Sequence, residues 1–364
     1  MTSLAEDPTV AERRSSSHAF AEFLARFREL GIVLALVIVV GAATLDNHLF
    51  LSAANVQQIL AGSAIIALLA IGETIVIITR NVDLSIGSIL GISAYATGTL
   101  YVHHPNVALP VVFLVALAIG AACGALNGLI VTGARVPSLV VTLGTLYIIR
   151  GIDGAWAGGN QVNASMLPDS FNKIGYETVL GIPYLGWIAI IAVALATYWM
   201  RSFRTARDFY AIGSDPAAAR LAGIPVGSRV FLAFVLSGAI AGVTGALWLS
   251  LYASVDAIAG VAGALWLSLY ASVDAIAGVG YEFQVIAAVV VGGVAIFGGS
   301  GTVLGAALGA LLLYTINSAL VVVNVSSFWS MALSGALLLA AIAFDRLIAL
   351  RVAPAMRTRR RARG

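Results

Sequence analysis

The sequence is built from a succession of apolar runs about 17–25 residues long, the length a helix needs to cross a bilayer. Ten are read, near residues 30–46, 57–79, 86–102, 107–133, 138–157, 179–200, 228–252, 281–297, 302–323 and 328–349. Hydrophobic residues make up 60% of the chain and charged residues 10%, against about 45–50% and about 25% in soluble domains. One or two water-soluble cores cannot enclose that much apolar surface, and lipid can. The expected fold class is therefore all-α: a polytopic membrane protein of about ten transmembrane helices, spanning residues 30–349. Residues 1–29 mix acids and bases without an apolar centre, so they read as a tail and not as a signal peptide. Residues 350–364 read as a basic tail.

Charge orients the spans. With the N-terminus inside and strict alternation, 18 of the 20 basic residues fall on the inner side, leaving only Arg150 and Lys173. The positive-inside rule then predicts a multi-pass plasma-membrane protein with both termini cytoplasmic. The longest outer loop is Gly158–Thr178 and the longest inner one Arg201–Arg229.

Motifs for chemistry are missing. The chain has no Walker A sequence, no H-E-x-x-H, no G-x-S-x-G and no Cys/His cluster. No enzyme activity, cofactor, metal or nucleic acid is expected. His103 and His104 lack a third ligand and read as a solvated loop. Gly298-Gly299-Ser300-Gly301 lacks the Lys-Ser/Thr of a phosphate loop and reads as a helix junction. Cys123 reads as a small core residue. Gly120, Gly124 and Gly128, and likewise Gly301, Gly305 and Gly309, are expected on faces where helices pack closely.

Residues 245–261 and 263–279 are identical, an 18-residue tandem duplication within 244–279. Eighteen residues make five helical turns, about 27 Å, so a helix lengthened this way keeps its facing. Each copy holds only about nine continuously apolar residues, too few for a span. One extra crossing would also place Arg346, Arg351 and the tail arginines outside. The extra copy is therefore expected to form a longer outer segment, or a partly re-entrant one.

Within 201–229, Asp215 suits an N-cap and Pro216 the first helical position. Ala217, Ala218, Ala219, Arg220, Leu221 and Ala222 are good helix formers, and Gly223 suits the C-terminal cap. A short surface helix follows. The segment YAIGSDPAAARLAGI resembles the coupling loop of bacterial ABC importer permeases for ribose, xylose, rhamnose and related sugars, in the branched-chain permease superfamily. TRNVDLSIGS (79–88), VPSLVVTLGTLYIIRGI (136–152), GYEFQVIAAVVVGGVAIFGGSGTVLGAALGA (280–310) and FDRL (344–347) are similar to family blocks, in family order. TRNVDLS and the stretch from Trp156 to Gly159 look more like the autoinducer-2 and rhamnose branch than the ribose branch. The family often has Glu where Ala217 stands, and one copy where this chain has two.

The resemblance implies the membrane subunit of an ATP-driven importer for a monosaccharide or autoinducer-2-like polyol. It implies two ATP-binding subunits at the coupling loop (Asp215, Pro216, Ala217, Ala218, Arg220, Leu221, Gly223), an extracytoplasmic sugar-binding protein, and a second permease subunit, identical or a sister chain. Polar residues within spans are functional candidates because they are costly there. Glu73, Asn127, Thr142, Thr145, Arg150 and Asn317 are the candidates for a translocation path, with helix-to-helix bonding the plainer reading of each. A Glu73–Arg150 pair is one expectation. Asp83 is expected to cap the third helix. A rival class, a secondary transporter driven by an ion gradient, needs membrane carboxylates, of which Glu73 is nearly the only example. An intramembrane enzyme is the other rival, which the missing catalytic clusters oppose.

Overall fold

The computed structural model describes residues 29–253, 272–273 and 277–323, with isolated positions between 329 and 343. Twelve α-helices have both ends among these residues. They are α1 (Glu29–Asp46), α2 (Ala53–Ile78), α3 (Ile86–His103), α4 (Leu109–Gly133), α5 (Ser138–Ala157), α6 (Asp169–Tyr176), α7 (Tyr184–Ser202), α8 (Arg204–Ser214), α9 (Pro216–Leu221), α10 (Val226–Ala253), α11 (Tyr281–Val291) and α12 (Val303–Val322). Seven of them, α1, α2, α4, α5, α7, α10 and α12, are long and apolar enough to cross a membrane. Residues 1–28 and 350–364, residues 254–271 and 274–276 of the repeat, and all but those isolated positions of the tenth expected span lie outside the described residues.

Two expected spans differ from the observed helices. The run 281–297 is helical only to Val291. Gly293, Gly298, Gly299 and Gly301 then adopt positive φ, so the backbone leaves the helix and forms an irregular loop before α12. Gly301 thus lies in that loop and not on the α12 face with Gly305 and Gly309. The third span, α3, is absent from the seven apolar ones. It carries Ser88, Ser93 and Thr97, all buried, and is enclosed by protein where lipid would not tolerate them.

Helix α2 is the centre of the molecule. Every residue from Ala61 to Ile78 is buried, because neighbours cover all its faces. An α2 that is apolar all round suits that position. Helices α4 and α10 pack backbone against backbone. A Cβ on Gly120 would collide with the Gly238 carbonyl, and one on Gly238 with that of Gly120. This close approach is the reason for the glycine spacing in α4, since dispersion and not the hydrophobic effect holds helices together in lipid.

The two ends of the bundle are distinct. At one end lie α6, β1 (Val162–Asn163), the β2–β3 hairpin (Thr178–Val179, Ile182–Pro183) and β4 (Ser272–Val273), with β1 and β4 paired antiparallel. Ser250 Oγ donates to Phe171 O at 2.7 Å, which ties the end of α10 to α6. At this same end Trp248 Nε1 donates to Tyr281 Oη at 3.1 Å, and the Tyr252 and Tyr281 hydroxyls lie 3.0 Å apart. The first copy of the repeat is thereby fixed on the start of α11. At the other end lie α8, α9 and the 292–302 loop.

A candidate translocation and coupling site

The segment 79–85 between α2 and α3 has no regular structure. Its polar groups find partners on three helices. Glu73 Oε1 accepts the Asp83 backbone N–H at 3.1 Å. Asp83 Oδ1 accepts from Ser85 N at 3.0 Å and from Ser85 Oγ at 2.6 Å. Ser85 Oγ in turn accepts from Asn127 Nδ2 at 2.8 Å. Ser138 Oγ accepts from Val82 N at 3.1 Å, and Thr142 Oγ1 donates to Ser138 O at 2.9 Å. Thr145 Oγ1 donates to Thr142 O at 3.3 Å. Glu73, Asp83, Ser85, Asn127 and Thr142 are all fully buried. A backbone freed from a helix inside a bilayer must be satisfied by protein, and this cluster does so. Among the described residues Glu73 Oε2, Asp83 Oδ2 and Asn127 Oδ1 have no hydrogen-bond partner.

The Glu73–Arg150 pair does not form. Arg150 turns to α11 and the turn before it, with Nη1 donating to Ala277 O and Nη2 lying 3.9 Å from Glu282 Oε2. Glu73 faces Asp83 ten residues further along the chain. The sequence signals for these partners were weak: Glu282 opens an apolar helix, and Asp83 reads as a local cap. Asp83 does organise the entry to α3, but from two residues before the N-cap, Ser85. Asn317 stands apart from the other five path candidates. It lines a pocket of about 200 Å³ with Asn55, Gln58, Tyr314 and Ser318, at the α6 end of the bundle.

Helix α9 has the capping expected of its residues. Asp215 Oδ1 accepts from Ala217 N at 2.8 Å and Ala218 N at 3.1 Å. These two N–H groups hold the Asp215 carboxyl below the usual aspartate value, Ala218 contributing most. At the far end Gly223 has φ 79°. Gly223 N donates to Arg220 O and Ile224 N to Ala219 O, both at 3.0 Å. That pair of bonds is the Schellman arrangement, which a residue with a Cβ disfavours. Ala219 is buried, whereas Leu221 is 91% exposed. Arg220 Nε donates to Pro216 O at 3.1 Å, along its own helix.

Helix α8 was not foreseen within the 201–229 loop. Its Ala206, Phe209, Ile212 and Gly213 are buried. Asp208 Oδ2 accepts from Arg229 Nε at 2.8 Å, which joins α8 to the start of α10. The last two carbonyls of α8 are taken by Arg80, whose Nε donates to Gly213 O at 2.6 Å and Nη2 to Ser214 O at 2.7 Å. Arg80 has φ 67°, a left-handed conformation that costs a residue with a Cβ about 1–2 kcal/mol.

Seven helices long and apolar enough to cross a membrane, with a polar break buried among them, make the chain a polytopic membrane protein. The chain belongs to the family described as the permease component of branched-chain amino acid transport systems, which it matches over residues 55–257 and 248–342. The two matched stretches overlap at residues 248–257, inside the first copy of the tandem repeat. Among its relatives is the autoinducer 2 import system permease protein LsrC of Enterobacter sp. (strain 638), 35% identical over 88% of both chains. The protein of that name from Klebsiella pneumoniae is 37% identical over 88% of this chain and 87% of its own. That from Escherichia coli (strain K12 / DH10B) is 32% identical over 89% and 88%. No solved structure matches the chain. The protein is therefore a multi-pass ABC-type permease of the inner membrane, a transport subunit.

Proposed function

We propose that this chain is the membrane subunit of an ATP-driven importer for autoinducer 2 or a closely similar small polyol. The relatives named for autoinducer 2 import favour that solute over rhamnose, ribose or xylose. The ATP-binding subunits sit at α9, on the cytoplasmic side with both termini, and a sugar-binding protein docks at the α6 end. The observation that carries the coupling role is Leu221. It stands exposed on a helix that Asp215 and Gly223 cap at both ends, in the segment that resembles the family's coupling loop, and that pairing of a rigid capped helix with an apolar tip is what supports a contact with the ATP-binding subunits. The neutral amides and hydroxyls of Asn127, Thr142, Thr145 and Asn317 suit a hydroxylated solute, and affinity is left to the binding protein. A second permease copy completes the passage. The exposed face of α5, with Leu143, Tyr147 and Ile148 and with open space where a Cβ would stand on Gly144 or Gly151, is the surface offered to it.

The test uses a strain that lacks its own autoinducer 2 permease. The chain, expressed with its ATPase and binding protein, should restore uptake of autoinducer 2 when the proton gradient is collapsed and ATP maintained. Arg220→Glu and Gly223→Val should each lower uptake and ligand-stimulated ATP hydrolysis together, at normal membrane levels. Uptake that fails with the proton gradient would return the chain to the ion-driven class. Full uptake with both substitutions present would remove α9 from the mechanism.

A further inference from the structure

Arg80 links two parts of the protein that are otherwise separate in the chain. Its guanidinium caps the carboxyl end of α8 by bonding Gly213 O and Ser214 O. Ser214 is followed directly by Asp215, the N-cap of α9. Arg80 therefore grips the joint between α8 and α9. Its own backbone is left-handed because Arg80 also closes α2, with Arg80 N donating to Ile77 O at 2.9 Å and Asn81 N to Val76 O at 3.3 Å, a Schellman cap, so the end of α2 belongs to its surroundings.

Those surroundings leave no slack. Gly299 N donates to Ile78 O at 2.9 Å. A Cβ on Gly213 would collide with Ile78 O, and one on Gly298 with Arg80 Cγ. Tyr210 Oη donates to Gly301 O at 3.0 Å, so α8 also holds the 292–302 loop. The end of α2, the end of α8 and the glycine loop thus form one packed joint.

Two residues beyond Arg80 the chain is tied again, to α5 and to the interior of α2. Val82 N bonds Ser138 Oγ on α5, and Asp83 N bonds Glu73 Oε1 on α2. Ser85 follows, bonded by Asn127 of α4. The stretch 79–85 is short and is bonded to α5, α2 and α4 at Val82, Asp83 and Ser85, so a displacement of its Arg80 end bears directly on those bonds. We infer that Arg80 is a positioning residue that transmits movement of α8–α9, through segment 79–85, to the polar cluster around Glu73, Asp83, Ser85 and Asn127. The inference rests on the reading of α9 as the ATPase contact.

The experiment is reconstitution of the complete transporter in liposomes, with its ATPase subunits and its binding protein loaded with autoinducer 2. Three permeases are compared with the unmodified one: Arg80→Ala, Arg80→Lys and Arg220→Glu. With Arg80→Ala the ATPase subunits should still co-purify, because the α9 caps are untouched. Stimulation of ATP hydrolysis by the loaded binding protein should be lost, and uptake per ATP hydrolysed should fall about tenfold or more. Arg80→Lys should not rescue either, because an ammonium is a point charge and cannot present the planar fork that spans two carbonyls. Unchanged stimulation and uptake in Arg80→Ala would overturn the inference. So would full rescue by Lys, which would reduce Arg80 to a charge. A fall in uptake that only follows loss of folded protein, or loss of the ATPase subunits from the complex, would assign Arg80 a purely structural role and also overturn it. Arg220→Glu separates the two readings. If it leaves both assembly and uptake intact, the α9 contact fails whatever Arg80 does. If it disrupts them while Arg80→Ala is silent, only the transmission inference fails.

Discussion

Glu73 Oε1 accepts the backbone N–H of Asp83 at 3.1 Å, so two fully buried carboxyl-bearing residues meet through a main-chain bond at the break between α2 and α3. Neither has an Arg or Lys ion-pair partner among the described residues. Glu73→Gln keeps an acceptor oxygen for that N–H and removes one carboxylate, so it should leave stability unchanged or raised. Glu73→Leu leaves a buried N–H unsatisfied and should cost about 1–3 kcal/mol. Thermal unfolding of the detergent-solubilised protein distinguishes them, and equal loss in both variants would show that the bond to Asp83 N is unimportant.

The α9 cap predicts a pH dependence. The folded Asp215 carboxyl lies below its unfolded value because Ala218 N and Ala217 N bond to it. Its contribution is therefore present above the unfolded value, about pH 3.9, and is lost as pH falls through the lower folded value. Amide exchange at residues 217–222, corrected for intrinsic rates, should show constant protection from pH 7 to about 4 and a decline below. The Asp215→Ala variant should start with less protection and show no such decline.

Glycines of two kinds should respond in opposite ways. Gly238 meets Gly120 backbone to backbone, and a Cβ has no space there. Gly238→Ala should destabilise by about 1–3 kcal/mol, as overpacking does. Gly144 lies mid-helix in α5 with nothing within 4 Å of a Cβ. Gly144→Ala should stabilise by about 0.5–1 kcal/mol, since Gly is the poorer helix former. Parallel unfolding curves in detergent measure both. Destabilisation by Gly144→Ala would mean that the α5 face is already packed against another chain in the micelle.

The tandem repeat should be dispensable. Trp248 and Tyr252 of the first copy bond with Tyr281, and Ala277 of the second receives Arg150. Deleting residues 245–262 moves the second copy into the place of the first, with the same Trp, Tyr and Ala in one copy. Residues 263–271, which then follow Thr244, repeat the sequence of 245–253, so α10 keeps the same residues. The shortened chain should insert at normal levels and transport as well as the full one. Failure to accumulate in the membrane would show that the second copy has become part of the fold.

The sequence by itself determined what depends on the solvent and on near neighbours. Long apolar runs must become helices in lipid, so the positions of α2, α4, α5, α10 and α12 were legible to within a few residues. Asp215, Pro216 and Gly223 fixed α9 because caps act over three or four residues. The glycine spacing in α4 announced a close contact, though not that α10 would supply it. What only the tertiary structure decided is pairing across the chain. Glu73 meets Asp83 and not Arg150, and Arg150 meets Glu282, because helices from distant segments set those faces together. Arg80 reads as one more inner-loop arginine by charge count. Only the packing of α2, α8 and the glycine loop makes it a clamp on Gly213 and Ser214, 133 and 134 residues away. The end of α11 at Val291 was likewise hidden, since an apolar run does not say where the backbone will leave the helix to meet another element. Hydrophobicity and capping are local and additive, so sequence reveals them. Partner choice among buried polar groups is a property of the assembled bundle, where each group takes whichever donor or acceptor the packing brings within reach.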